Sequence, residues 1–376
     1  MKRSLAPYIL KDLPGKIILL TGPRQVGKTT LSKSLTKNHD YLNHDAGKDR
    51  NVLKHQEWDR SMEIIIFDEL HKMKKWKSWL KGVYDTETRP PGLVVTGSAR
   101  LDVYRKGGDS LAGRHFTYRL LPFTVKELKS QMSAKESLNR LMTVGGFPEP
   151  FLKNSEAYAT RWRKTHVDII LRQDLLDLEK VRDIRSIEIL IDLLRHRVGS
   201  TTSYSSLGED LQVSVHTVKH WLQILENLYV IFPVRPYSKN ISRSILKDTK
   251  YYFYDTGAVI GDESARLENT IANALLAELH FHEDTTGTKN GLYYLRDKEK
   301  REIDFLILIG NTPRLMVEVK LSDNNFSKNL AHFQSFFRSI ATVQVVHYLD
   351  RPRSSPTMRM ISTEKLLSEI DFSVKP

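Results

Sequence analysis

Residues 21–30 read Thr21-Gly22-Pro23-Arg24-Gln25-Val26-Gly27-Lys28-Thr29-Thr30, and this stretch decides the fold. The apolar run Ile17-Ile18-Leu19-Leu20 leads into it, and a helix-like stretch from Leu31 to Leu35 leaves it. G-x-x-x-x-G-K-[ST] between a strand and a helix is the setting a phosphate-binding loop requires. Gly22 and Gly27 let the backbone curl until consecutive N–H groups point inward. Together with the helix N-terminus those groups make an anion site. Pro23, Arg24, Gln25 and Val26 complete the loop and Thr30 follows it. Lys28 is placed to reach the β- and γ-phosphates, and Thr29 to ligate Mg²⁺. An ordinary glycine turn is the competing reading, and the complete strand–loop–helix context disfavours it.

Outward from the loop, Glu63-Ile64-Ile65-Ile66-Phe67-Asp68-Glu69 is the next strong signal. An apolar run ending in two acids has the form of a buried parallel strand that delivers carboxylates at its C-terminal edge. Ligands of open α/β sheets sit at that edge. Asp68 is expected to hold the magnesium ion and Glu69 to polarise an attacking water as general base. Leu93-Val94-Val95-Thr96-Gly97-Ser98 predicts a further strand ending in small polar residues. Tyr41-Leu42-Asn43 predicts a short strand, and the polar stretch Asp45 to Lys54 a connection. Arg114, in Ser110-Leu111-Ala112-Gly113-Arg114, is a candidate arginine finger toward a neighbouring subunit. A surface arginine on a loop is the equal alternative.

The chain has 376 residues, too many for one typical core, so two or three domains are expected. Hydrophobic residues make 40% and charged residues 27%, which suits a soluble globular protein. No run approaches the roughly 18 apolar residues of a membrane span. Cysteine is absent, which excludes disulfides, thiolate metal sites and cysteine nucleophiles and fits a reducing cytoplasm. The net charge of +13 favours nucleic acid or another anionic partner.

From Val125 to about Leu193 the pattern is helical and rich in charge, as for a helical lid. Asp168 to Leu178 predicts one core-packed helix, and Gly145-Gly146-Phe147-Pro148-Glu149-Pro150 a rigid turn. Tyr204 to Tyr237 predicts a winged helix-turn-helix: a helix from Ser205 to Leu211, Val213 in the turn and Ser214 capping a second helix. Val218, Leu222 and Leu225 share its inner face and leave His216, Lys219 and His220 outward, where a DNA groove could lie. Val230 to Val234 begins the wing, and Lys250-Tyr251-Tyr252-Phe253-Tyr254-Asp255-Thr256-Gly257 closes the module.

Ser264 to His280 predicts an amphipathic helix with Leu267, Ile271, Leu275 and Leu279 on one face and Glu268 on its shoulder. Strands follow at Tyr293 to Leu295, Glu302 to Ile309 and Arg314 to Lys320. Alternation puts Glu318 and Lys320 on one face of the last strand, where burial is costly without a reason. Asp304 lies on the neighbouring strand. Asp304 and Glu318 are candidate ligands for a divalent cation, Glu268 a third, and Lys320 a group that orients or deprotonates water. A structural Glu–Lys pair is the alternative.

The phosphate loop, Phe67-Asp68-Glu69, Thr96-Gly97-Ser98, Ser110 to Arg114, Gly145 to Pro150, Tyr252 to Gly257 and the series Glu268, Asp304, Glu318, Lys320 occur together. In that order the chain resembles prokaryotic AAA-type ATPases with a C-terminal domain of uncharacterised function, itself similar to PD-(D/E)XK nucleases. The resemblance spans about residues 5 to 350. It implies an α/β fold: a P-loop NTPase parallel sheet with helical lid, a winged helix-turn-helix and a C-terminal α/β restriction-endonuclease-like domain. The expected division is 1–135, 136–198, 199–258 and 259–376. It also implies ATP and Mg²⁺ as cofactors and Ser98 as γ-phosphate sensor, with Thr96 the second choice. DNA is the implied partner, and a homo-oligomer the implied assembly. No second sensor arginine is evident, and the acidic turn reads Glu302-Ile303-Asp304 where Pro-Asp would be expected. A nucleotide-switched DNA-binding regulator and a signalling ATPase with a non-cleaving nuclease-like fold are the alternatives to a nuclease.

Overall fold

A computed structural model of the protein describes residues 2–86, 91–97, 111–175, 183–238, 248–323, 325–337 and 340–373. The chain forms two compact units, Met1–Pro122 with Asn227–Tyr229, and Phe123–Glu226 with Val230–Pro376.

The first unit opens with a short helix, α1 (Ala6–Asp12), ahead of β1 (Ile17–Thr21), α2 (Lys28–Ser34) and β2 (His39–Asn43). It continues through α3 (Gly47–His55), β3 (Ile64–Asp68), α4 (Trp76–Thr86), β4 (Gly92–Thr96) and β5 (His115–Arg119). Among the described residues these strands make a parallel sheet in the order β2-β3-β4-β1-β5. The runs of Ile, Leu and Val make central strands because both sheet faces are covered. Ile65, Ile66, Phe67, Val94 and Val95 are fully buried, each contributing about 1.5–3 kcal/mol of apolar burial. Trp58, Phe67 and Trp79 meet edge-on over one face.

Residues 47–55 are a helix, not the connection their polarity suggests. The completely buried Leu53 anchors α3, and Asp49 in its first turn accepts the Asn43 N–H at 2.8 Å. A few well-placed contacts outweigh a mostly polar composition.

The second unit begins with α5 (Val125–Leu128), α6 (Ala134–Val144), α7 (Pro148–Lys153), α8 (Glu156–Ile169) and α9 (Ile184–Arg195). Ser133, Ser155 and Asp183 accept backbone N–H groups as N-caps of α6, α8 and α9. The expected rigid turn ends early, because Pro148 opens α7 at a position where its missing N–H costs nothing. The helix expected over 168–178 also differs. α8 ends at Ile169 and widens into a π-helical turn, Ile170–Leu175; residues 176–182 lie outside the described residues.

Next come β6 (Thr201–Thr202), α10 (Tyr204–Leu211), α11 (Val215–Asn227), β7 (Ile231–Pro236) and β8 (Thr249–Phe253). Ser203 and Ser214 cap the two helices, each accepting an N–H at 3.1 Å. Val218, Leu222 and Leu225 are buried, and His216, Lys219 and His220 face outward, as the spacing predicts. The remaining elements are α12 (Glu263–Thr286), β9 (Asn290–Arg296), β10 (Glu302–Ile309), β11 (Thr312–Lys320), α13 (Lys328–Phe336) and β12 (Ala341–Val346). The described chain then closes with β13 (Arg353–Ser354), β14 (Arg359–Ser362) and α14 (Thr363–Glu369).

Among the described residues one sheet runs β13-β14-β12-β11-β10-β9-β7-β8-β6. Its joint is the parallel pairing of Arg235 with Tyr293 and Pro236 with Tyr294. The helix pair and its strands therefore share a sheet with residues 290–362, where sequence reading expects separate modules. α12 crosses the joint: Asn269 accepts the Phe253 N–H at 2.8 Å and donates to the Phe253 carbonyl at 3.0 Å. No helix among the described residues is long and apolar enough to cross a membrane.

Candidate functional site

The carboxyl edge of the first sheet gathers the phosphate loop and the acidic strand. Gly22 has φ +132°, and a Cβ there would collide with the Leu120 carbonyl, so only glycine fits. Lys28 is buried and donates to the Gly22 and Pro23 carbonyls at 2.9 and 2.5 Å. Asp68 is the hub. Its Oδ2 accepts from Thr29 Oγ1 at 2.9 Å and from the Tyr41 hydroxyl at 2.7 Å. Its Oδ1 accepts from Thr96 Oγ1 and, at 3.1 Å, from the Glu69 N–H. Sheet register explains the Thr96 contact, since Asp68 and Thr96 are direct neighbours on β3 and β4. Thr29 and Asp68 thus present a hydroxyl and a carboxylate at one spot beside the loop, an all-oxygen donor set that suits Mg²⁺.

Glu69 takes the left-handed conformation, φ +55°, which turns the chain sharply away from Asp68. Its Oε2 is buried without a hydrogen bond, 3.4 Å from the Lys72 ammonium and 3.5 Å from His71 Nε2. Burial pushes its carboxyl above the usual range, aided by Asp68 and opposed by Lys72, Arg24 and Lys28. A carboxylate poised upward and short of donors has the chemistry of a general base. Tyr41 is the residue sequence reading missed. It sits on the edge strand with the Lys33 ammonium 3.4 Å from its ring centroid, and a lone Tyr in a short strand carries no signal of its own. Ser98 lies outside the described residues, so the polar group seen on Asp68 from β4 is Thr96. The Arg114 guanidinium forks onto Asp85 at 2.7 and 3.0 Å.

The second unit holds a carboxylate cluster, and its arrangement differs from the expected metal shell. Lys250, on β8 and 1% exposed, projects into it. Its Nζ lies 2.7 Å from Glu302 Oε1, 3.4 Å from Glu268 Oε1 and 3.5 Å from Asp304 Oδ1. Burial alone would lower the lysine pKa, but Glu268, Asp304 and Glu302 outweigh it and hold Lys250 charged. Glu268 also accepts from the Tyr252 hydroxyl at 2.6 Å. With one ammonium shared among three carboxylates, burial and Asp304 drive the Glu268 carboxyl up to about 7 against the pull of Lys250. Gly199, φ +75°, backs directly onto Glu268, where a Cβ would stand 2.8 Å from Oε2.

Asp304 Oδ2 accepts the Val319 N–H at 2.8 Å. Glu318 pairs with Lys320 at 2.8 Å, and its Oε2 is buried without a hydrogen bond. Burial, then Asp304, pushes the Glu318 carboxyl up to about 7. The expected set of Glu268, Asp304 and Glu318 around one cation is therefore not assembled. Among the described residues no group of three or more His, Asp or Glu stands ready to hold a metal ion. Lys250 Nζ stands where Glu268, Glu302 and Asp304 converge, and its place in an aromatic strand, Thr249-Lys250-Tyr251-Tyr252-Phe253, was the one available signal.

The outward face of α11 carries His216, Lys219 and His220, with Lys219 Nζ 5.2 Å from the centre of the Tyr204 ring. Tyr204 is half-buried, so the pair is a cation–π contact at the edge of the outward face.

Three segments match known families: residues 14–129 an AAA domain, and residues 135–261 and 264–361 two domains of unknown function, DUF8612 and DUF4143. An uncharacterized protein of Mycobacterium tuberculosis is 26% identical over 307 residues, covering 79% of this chain and 68% of that one. An uncharacterized protein of Methanocaldococcus jannaschii is 22% identical over 380 residues, covering 91% and 84%. A structure of the Aeropyrum pernix Orc1 protein in complex with DNA is similar over 74% of this chain and 95% of that one, at 13% identity and a TM-score of 0.33. With the loop, the acidic strand and the matched segment on the same residues, the chain carries an AAA-type P-loop domain at its N-terminal end.

Proposed function

We propose that this protein binds and hydrolyses ATP in its first unit and couples the nucleotide state to holding DNA through the second. The observation that carries the reading is Asp68, which collects the hydroxyls of Thr29, Thr96 and Tyr41 at the mouth of a phosphate loop. Lys28, donating to the Gly22 and Pro23 carbonyls at the loop, is placed to pass to a γ-phosphate. The loop amides and Thr30 seat the phosphates, and Glu69 orients and deprotonates the attacking water. Thr29 and Asp68 would hold a magnesium ion, which when bound would supply charge neutralisation on the phosphates. Arg114 is assigned no catalytic step.

The test is paired. Glu69→Gln should retain ATP and turn over slowly, because the loop stays while the base is gone. Hydrolysis by Glu69→Gln at the parent rate would remove this assignment.

DNA contact is assigned to α11, the second helix of what we read as a winged helix-turn-helix: α9, β6, α10, α11 and the β7–β8 pair. Lys219→Glu should weaken DNA binding at every sequence and flatten its salt dependence by roughly one counterion. Unchanged affinity and slope would remove α11 from the interface.

A second reading concerns the C-terminal residues. Glu268, Asp304, Glu318 and Lys320 have the residue types of metal-dependent phosphodiester hydrolysis. The Lys250 ammonium among the carboxylates favours instead a nuclease-like fold that holds nucleic acid without cutting it. Incubation of the parent, Asp304→Ala and Lys320→Ala with DNA and Mg²⁺ separates the two. Cleavage by the parent that either variant loses would restore the nuclease.

A further inference from the structure

We propose that Lys250 is a built-in counter-cation, an ammonium fixed where the carboxylates of the second unit would otherwise bind a divalent metal ion, and that removing it uncovers a latent metal site. This deepens and rests on the non-cleaving reading of the C-terminal residues, and it is independent of ATP hydrolysis.

Oxygens from two elements converge on one point: Glu268 from α12, and Glu302 and Asp304 from β10. Oxygen-only convergence is what a hard divalent cation recognises. The point is taken by Lys250 Nζ at 2.7–3.5 Å from the three oxygens. Magnesium needs oxygens at about 2.0–2.1 Å, so it cannot share that position with an ammonium. Nor can the lysine swing aside. β8 is paired on both edges at this residue, to Thr201 of β6 and Val234 of β7. The Tyr294 ring centre lies 5.6 Å from the Nζ, and the whole residue is 1% exposed.

The groups behind the carboxylates are arranged for the same cation. The Tyr252 hydroxyl, two residues along the same face of β8, donates to the same Glu268 oxygen that Lys250 approaches. Asp304 is oriented from behind by the Val319 N–H. Arg296 adds a second positive charge at 3.4 Å from Glu302 Oε2. Lys320 holds Glu318 at 2.8 Å. Among the described ion pairs Lys250 is the ammonium that both Glu268 and Asp304 face, so removing it takes away the cation they share.

The experiment uses the full chain without nucleotide, in an Asp68→Asn background that removes the phosphate-loop carboxylate. Mn²⁺ uptake is read from the electron paramagnetic resonance of the free ion. The background protein should take up no Mn²⁺ that Asp304→Asn abolishes. Adding Lys250→Met should create one site per chain, bound about a hundredfold or more tighter, from the loss of one repelling charge in a shielded setting. Asp304→Asn should then erase that site. Circular dichroism reports whether Lys250→Met folds; if it does not, Lys250→Gln with Glu302→Gln, which removes one charge of each sign, takes its place. Uptake by the background protein that depends on Asp304 overturns the proposal, whatever the variants do. A folded Lys250 variant that gains no site overturns it as well. ATP retention by the unmodified chain is measured separately, so failure of either idea leaves the other standing.

Discussion

Two buried lysines, Lys28 and Lys250, each sit beside acidic residues, yet they do opposite things. Lys28 rests on the uncharged carbonyls of Gly22 and Pro23, while the adjacent Asp68 is satisfied by hydroxyls. Lys250 is spent on three carboxylates at once. A cation parked on dipoles can be handed to an incoming phosphate at little cost. A cation locked into buried ion pairs cannot leave without stranding charge. The same residue types therefore make a receptive site in one unit and a self-neutralised one in the other, and what distinguishes them is the partner of the ammonium.

The sharpest way to break this contrast is to remove each lysine. Lys28→Ala should lower ATP turnover by on the order of a hundred- to a thousandfold, because the main cation facing the γ-phosphate is gone. Its melting temperature should fall less than that of the Lys250 variant, since the Gly22 and Pro23 carbonyls that lose a donor carry no charge. A steady-state phosphate-release assay beside a thermal melt checks both halves. Lys250→Met should behave in reverse, leaving the nucleotide site intact and costing about 3–5 kcal/mol of stability, the penalty for an uncompensated buried charge. Adding Glu302→Gln should return part of that loss, and denaturant titration reads both effects.

A smaller effect tests Glu318. Its folded pKa, about 7, lies above the ordinary carboxylate value, so the folded chain binds this proton more tightly than the unfolded chain. The group's contribution is thus complete below the unfolded value and is lost as pH rises through about 7. Glu318→Gln, which cannot ionise, should therefore gain on the parent between about pH 4.5 and pH 7 by about 1–3 kcal/mol. Parallel melts at pH 4.5 and pH 8 read this difference, and a gap that does not grow with pH would show that Glu318 is not held against ionisation.

The smallest expected effect is Tyr41→Phe. It removes one of the donors on Asp68, worth about 1.5 kcal/mol, the low end for a hydrogen bond to a charged group because the carboxylate keeps its other donors, and should slow ATP turnover by about tenfold or less. A parent-like rate at every magnesium concentration would make the tyrosine a packing residue only.

The first site was legible because its parts are local. A loop, the strand before it and the helix after it lie within a score of residues, and Asp68 announces itself at the end of an apolar run. Thr96 was legible as a second choice, and register with Asp68 then made it a direct partner. The second site was half legible. Glu268, Asp304, Glu318 and Lys320 could be named from periodicity and resemblance, but how they are neutralised could not. Lys250 reaches Glu302 across 52 positions only because β7 pairs with β9 and joins two sets of strands. No window of sequence contains that joint. α3 failed for a related reason, since its one essential burial, Leu53, is outnumbered by polar neighbours.

The joint between β7 and β9 has a practical consequence. A cut near residue 262 divides the chain where its strands look like separate modules, but it tears a continuous hydrogen-bonded plate. Each half would display a raw strand edge of unmatched amides and carbonyls, and the upstream half would also lose Asn269 from the Phe253 backbone. Bare edges of that kind recruit other chains. Expressed alone, either fragment should clump, whereas the two produced together should find one another and dissolve.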